Sequence, residues 1–237
     1  MLIKDFDQRR KIFVGKNTED AISFASSHWI DTAKQAIQQR GKFAVALSGG
    51  STPKAIYQTV ALTKNLDWGK VFLFWSDERA VPQNHSDSNY KMAMESFGKV
   101  GIPLHQIFRM KAEEKIEENA KDYEEKIRHY LGKHLFDLVM LGVGEDGHTA
   151  SLFPNTAALA IEDRLVVANE IPSMKTDRMT LTFPCINQSR QIAVYALGKS
   201  KETIVSKILK APIISSYPAS NIGTPSSPAL FVLDHNP

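Results

Sequence analysis

At 237 residues, 43% of them hydrophobic, the chain is long enough for one large α/β domain with a substantial core, and its composition excludes disorder. Its 29 basic and 26 acidic residues leave a formal charge of +3, too balanced for a nucleic-acid footprint and mildly favourable to anionic small molecules. The lone cysteine, Cys185, excludes an internal disulfide. No apolar run is long enough to span a bilayer and Met1 to Lys11 lacks a signal-peptide core, so the expectation is a cytoplasmic chain with no membrane or nucleic-acid partner.

Thr18 to Arg40 carries Ile22, Ala25, Trp29, Ala33 and Ile37 near helical spacing, with Gly41 as its stop. Phe43 to Leu47 then predicts a buried strand, Pro53 to Leu62 a helix, Val71 to Trp75 a strand and Ser86 to Phe97 a helix. Glu113 to Leu131 is densely charged but carries a stripe of Ile116, Ala120, Tyr123, Ile127 and Tyr130, which predicts a surface helix whose charges are solvated. Further strands are expected at 136–141, 165–168, 179–183, 191–197 and 230–233, with a helix at 201–209. Strands alternating with helices imply a Rossmann-like α/β fold, a mainly parallel sheet with helices on both faces, formed by residues 1–237 as a single domain. The Pro/Ser/Gly-rich segment 211–228 reads as a long loop folded over the site.

The strand at 136–141 runs into Gly142-Val143-Gly144-Glu145-Asp146-Gly147-His148-Thr149-Ala150-Ser151. Polar residues crowded at a strand's carboxyl end are where open α/β sheets place their sites. A histidine can accept and return a proton near neutral pH, and a neighbouring carboxylate can fix its tautomer, so Asp146 and His148 lead the candidates for catalysis. The glycines also spell GxGxxG, with Glu170 following at about the distance of a dinucleotide fingerprint. That reading requires the third glycine to open a long helix, and Pro154 interrupts after a few residues. A turn bearing a solvated histidine is the plainer alternative.

Three more clusters follow apolar strands. Ser48-Gly49-Gly50-Ser51-Thr52-Pro53-Lys54 combines a tight turn, hydroxyl donors and a proline suited to a first helical turn. It forms either an anion cradle at a helix N-terminus or a simple cap by Thr52. No Gly-Lys-Ser/Thr triplet closes it as a Walker loop, and it lacks the second glycine of a nucleophile elbow. In Ser76-Asp77-Glu78-Arg79, the arginine is suited to a phosphate or an oxyanion, or to an ion pair with Asp77 or Glu78. Gly198-Lys199-Ser200-Lys201 places lysines where they reach a phosphate or only solvent. All four clusters would gather on one edge of a parallel sheet.

With these residues in view, the chain resembles the glucosamine-phosphate isomerase/6-phosphogluconolactonase family, and its lactonase branch in particular. The resemblance is carried by residues 48–53, by 76–79 with Ser88-Asn89-Tyr90, by 142–154, by Arg178-Met179-Thr180-Leu181-Thr182, and by Gly198 with Lys201. The related amino-sugar-phosphate deaminases have Asn-Glu-Pro where this chain has Leu152-Phe153-Pro154, and lack the arginine found here as Arg79. Family chains also commonly run on into an alanine-rich helical tail, whereas this one stops at Asp234-His235-Asn236-Pro237.

The resemblance implies hydrolysis of 6-phosphoglucono-δ-lactone to 6-phosphogluconate in the oxidative pentose phosphate pathway, with a phosphorylated sugar lactone as the small-molecule partner. His148 would be the general base, Asp146 its orienting carboxylate, and Arg79 a stabiliser of the oxyanion or the phosphate. Ser48, Gly49, Gly50, Ser51, Thr52, Lys201 and Arg178 would hold the phosphate, and the segment 171–175 would bias substrate preference. A sugar-phosphate isomerase or deaminase and a non-catalytic sugar-phosphate sensor are the alternative functions. No cofactor or metal is implied: His129 and His134 stand five apart, off one helical face, and Cys185 has no zinc-site spacing. The oligomeric expectation is a monomer.

Overall fold

Asn17 accepts the Asp20 N–H at 2.8 Å, so the first long helix begins at the predicted Thr18. In the computed structural model, which describes residues 3–132, 135–212 and 216–237, the order is β1 (Lys4–Asp5), β2 (Arg10–Val14), α1 (Thr18–Arg40), β3 (Phe43–Leu47), α2 (Ser51–Ala61), β4 (Val71–Trp75), β5 (Asp77–Arg79) and α3 (Asn89–Phe97). It continues with α4 (Ile116–Leu131), β6 (Leu138–Gly142), β7 (Val166–Ile171), β8 (Thr176–Leu181), α5 (Phe183–Asn187), β9 (Ile192–Ala196), α6 (Glu202–Lys210) and β10 (Ala229–Leu233).

Seven strands form one sheet in the order β1-β2-β10-β9-β6-β3-β4, parallel throughout except where β1 meets β2. Every residue of β3, β9 and β10 is buried, as the near-continuous apolar runs require when both faces are covered. On one face Trp29 of α1 packs edge-on against Phe43 and stacks with Phe97 of α3, while Tyr57 of α2 lies 5.2 Å from Phe97. On the other face Tyr123 of α4 meets Phe74, which also packs on Phe108 and Phe136. The parallel α/β fold with helices on both faces is therefore as predicted. No helix among the described residues is long and apolar enough to cross a membrane.

Four expectations change. The runs at 165–168 and 179–183 leave the parallel sheet: they become β7 and β8, an antiparallel hairpin that binds β5 in a separate sheet of order β5-β8-β7. Only residues 172–175 join them, with Lys175 at φ 49°, and that is too short for the crossover a parallel pair needs. Phe183 starts α5 instead of ending a strand, because Thr182 accepts the Cys185 N–H as its cap. The N-terminal residues contribute β2, paired with β10, which the sequence did not announce.

The fourth change is in the charged helix. Glu124 is buried: its carboxylate accepts from Arg128 at 2.6 Å, from Arg164 Nε at 2.7 Å and from the Leu165 N–H at 3.0 Å, tying α4 to the start of β7. Burial pushes its pKa up, yet these hydrogen bonds prevail and hold it below the ordinary glutamate value. Of the two histidines set aside as ligands, His134 lies outside the described residues, as do 213–215 of the long loop.

Candidate active site

Because β3, β4, β6 and β9 run parallel and in register, the segments that follow them emerge on one edge of the sheet. They enclose a cleft of about 270 Å³ lined by Ser48, Gly49, Gly50, Asp77, Arg79, Gly142, Val143, Gly144, His148, Ala150 and Lys201. All four sequence clusters reach it.

Within the loop after β6, the Asp146 carboxylate oxygen Oδ1 stands 2.6 Å from His148 Nδ1 and accepts the His148 backbone N–H at 3.0 Å. One oxygen thus fixes both the main chain and the ring, which leaves Nε2 for other partners. The ring stacks on Phe153, with centroids 3.9 Å apart. The loop closes on itself through Gly144 N–H to the His148 carbonyl at 2.9 Å and the Thr149 hydroxyl to the Gly142 carbonyl at 2.8 Å. A Cβ on Gly144 would lie 2.1 Å from the imidazole Nδ1 and Cε1, so glycine here makes room for the ring. No helix opens at Gly147, in keeping with the rejection of the dinucleotide reading.

The antiparallel sheet anchors this loop from below. Ser151 donates its hydroxyl to Asp77 Oδ2 at 2.7 Å and its N–H to Thr180 Oγ1 at 3.1 Å, and its carbonyl accepts from Asn169 at 2.8 Å. Ser76 joins the two sheets: it donates to the Leu47 carbonyl and accepts the Leu181 N–H at 2.9 Å. Asp77 and Asn89 were not singled out from the sequence as site residues, although Asp77 lines the cleft and Asn89 donates to its carbonyl at 3.0 Å. Asn89 also backs the loop after β3, since a Cβ on Gly49 would meet its Oδ1 at 2.0 Å.

That loop ends at Gly50, the N-cap of α2, which has no side-chain cap; Thr52 is therefore a first-turn residue and not the cap. Ser51 and Thr52 supply the first N–H groups of α2, and Pro53 has none to leave unpaired. Ser48 accepts and donates through its main chain to the Tyr57 hydroxyl, both at 2.9 Å. Its own hydroxyl is buried with no hydrogen-bond partner among the described residues.

Arg79 donates Nη1 to the Asp87 carbonyl at 2.7 Å and its backbone N–H to Glu78 at 2.9 Å. Glu78 is occupied with α3: it also accepts the Asn89 and Tyr90 N–H groups, both at 2.8 Å, and the Ser88 hydroxyl. Burial raises the Glu78 pKa despite those bonds. Arg178 pairs opposite Arg79 in the β5–β8 register, where burial and then the Arg79 charge lower its pKa. Its Nη1 donates to Thr176 Oγ1 and the Asp177 carbonyl, and it stands outside the cleft lining, as do Ser51, Thr52 and Asp146. The long loop meets the turn before His148, where the Ala219 N–H donates to the Gly147 carbonyl at 2.9 Å, but none of its described residues lines the cleft. No cluster of three potential metal ligands occurs among the described residues.

The family model of glucosamine-6-phosphate isomerases/6-phosphogluconolactonase matches residues 16–232. The chain is 42% identical over 233 residues to the 6-phosphogluconolactonase of Chlamydia pneumoniae, covering 97% of this chain and 90% of that one. With the Chlamydia muridarum 6-phosphogluconolactonase it shares 45% identity over 225 residues, 94% of this chain and 87% of the relative. The crystal structure of 6-phosphogluconolactonase from Thermotoga maritima superposes with a TM-score of 0.82 at 29% identity, covering 94% of this chain and 98% of the other. Sequence match, parallel sheet and clustered strand-end loops agree, and the chain belongs to the glucosamine-6-phosphate isomerase/6-phosphogluconolactonase family.

Proposed function

We propose that the chain hydrolyses 6-phosphoglucono-δ-lactone to 6-phosphogluconate, the second step of the oxidative pentose phosphate pathway. Relatives at 42% and 45% identity bear the 6-phosphogluconolactonase name across nearly the whole chain, and the chain is an enzyme of that kind. The observation that carries the mechanism is the 2.6 Å contact between Asp146 and His148 Nδ1 at the rim of a cleft that also holds Arg79 and Lys201.

With Nδ1 bound to Asp146, the free Nε2 of His148 takes a proton from water as that water attacks the lactone carbonyl. Asp146 stabilises the resulting imidazolium, which then returns the proton to the departing ring oxygen. Arg79 offsets the negative charge that develops on the tetrahedral intermediate. The phosphate lies away from the bond that breaks, against the Ser48–Gly50 turn, the first N–H groups of α2 and the Lys201 ammonium. Binding energy spent there orients the carbonyl toward the water.

A deaminase needs a carboxylate after the histidine, and here Phe153 stacks on the imidazole face, which favours the lactonase reading. Following lactone loss by NMR or pH-stat, with the spontaneous rate subtracted, tests the proposal. Enzyme-dependent loss is expected, and a rate equal to buffer alone would refute it.

A further inference from the structure

The turn that delivers Lys201 is held from another strand. Gly198 adopts φ 94°, and a Cβ there would meet nothing within 4 Å, so the position demands glycine for its backbone and not for space. Its carbonyl accepts the Lys201 N–H at 2.9 Å, closing the turn 198–201. Its own N–H points at Asp234, the residue after β10, at 3.0 Å from each carboxylate oxygen.

Asp234 is itself restrained on two further sides. Thr18, the first residue of α1, donates its hydroxyl to Oδ2 at 2.5 Å, and His235 Nδ1 stands 2.9 Å from Oδ1. The side chain is only 7% exposed. Burial would raise its pKa, but the bonds from Thr18, His235 and Gly198 outweigh it and keep the group ionised. A carboxylate held by Thr18 of α1, by the Gly198 N–H and by its chain neighbour His235 is a joint between β10, α1 and the turn after β9.

We infer that Asp234 is a positioning residue for phosphate recognition: through Gly198 it sets where the Lys201 ammonium stands in the cleft. The inference rests on the lactonase reading only in taking Lys201 as the phosphate anchor. A carboxylate that merely stabilised the fold would affect all substrates alike. One that aims Lys201 affects phosphorylated substrates selectively, and only while Lys201 is present.

The test compares kcat and KM for phosphorylated and unphosphorylated gluconolactone in wild type, Asp234→Asn, Thr18→Val, Lys201→Ala and the Asp234→Asn/Lys201→Ala double variant. Asp234→Asn should lower the ratio of the two specificity constants about five- to tenfold, through KM more than kcat. Thr18→Val, which keeps the charge and removes one donor, should lower it about twofold, and it decides the matter if Asp234→Asn fails to fold by circular dichroism. In the Lys201→Ala background, Asp234→Asn should change the ratio no further, the signature of one coupled unit. An unchanged ratio in the folded single variants, or a full additional loss on top of Lys201→Ala, overturns the inference. Should wild type fail to hydrolyse lactone, calorimetric binding of 6-phosphogluconate applies the same comparison. A Kd weakened about five- to tenfold by Asp234→Asn, only with Lys201 present, supports positioning; an unchanged Kd rejects it.

Discussion

Asp146 Oδ1 holds His148 twice, at the ring nitrogen Nδ1 at 2.6 Å and at the backbone N–H at 3.0 Å. A single oxygen therefore couples the histidine's tautomer to the conformation of the turn that presents it. Both side chains are partly exposed, His148 at 28% and Asp146 at 47%, so the pair is built for access to the cleft and contributes little to the core.

The first expectation follows from that exposure. His148→Ala should reduce turnover by about two to four powers of ten while leaving the melting temperature close to wild type. Asp146→Asn should also reduce turnover, since an amide neither stabilises an imidazolium nor enforces the tautomer. Single-substrate kinetics above the spontaneous rate, with a thermal melt of each variant, decide it; near-native turnover in His148→Ala would remove the general base.

Gly144→Ala should separate ring placement from fold. The new Cβ would fall 2.1 Å from two imidazole atoms, and the ring must move. A displacement of about 1 Å is enough to cost about a hundredfold in rate. Gly144 does not adopt a positive φ, so alanine meets no left-handed backbone penalty there and stability should change little. Turnover and a melting curve from one preparation test it.

Lys201→Ala should weaken the phosphorylated lactone selectively. Charge-assisted hydrogen bonds contribute about 1.5 to 3 kcal/mol, which converts to roughly ten- to 150-fold in kcat/KM. The loss with unphosphorylated gluconolactone should be much smaller. Equal losses for both substrates would take Lys201 out of the phosphate site.

Glu124 supplies a pH prediction for stability. Its pKa is lowered in the folded protein, because the Arg128, Arg164 and Leu165 hydrogen bonds overcome burial. Its contribution is therefore complete above the unfolded glutamate pKa of about 4.3 and is lost as pH falls through the lower folded value. Glu124→Gln should cost about 1.5 to 3 kcal/mol near pH 7, and the gap to wild type should narrow below about pH 4. Urea titrations at the two pH values measure it; a gap independent of pH would show that the ionised carboxylate is not what ties α4 to β7.

The local chemistry of this protein was legible in its sequence. Apolar runs bounded by turn residues located β3, β4, β6, β9 and β10, helical spacing located α1 and α4, and each glycine-rich or charged cluster stood at a strand end because that is where parallel strands expose their loops. Asp146 and His148 were legible as a pair because they are two residues apart. What only the tertiary structure decided was everything that depends on distant segments meeting. The antiparallel pairing of β7 with β8 followed from the short 172–175 connection, and the separate sheet they form with β5 is visible only in the fold. Asp77, Thr180 and Asn169 converge on Ser151 from three strands, Glu124 turns a charged surface helix into a buried joint, and Asp234 reaches Gly198 across 36 positions of sequence. Hydrogen bonds of this kind are made by geometry between elements, and composition and spacing carry no record of them until the sheet has brought the strand ends together.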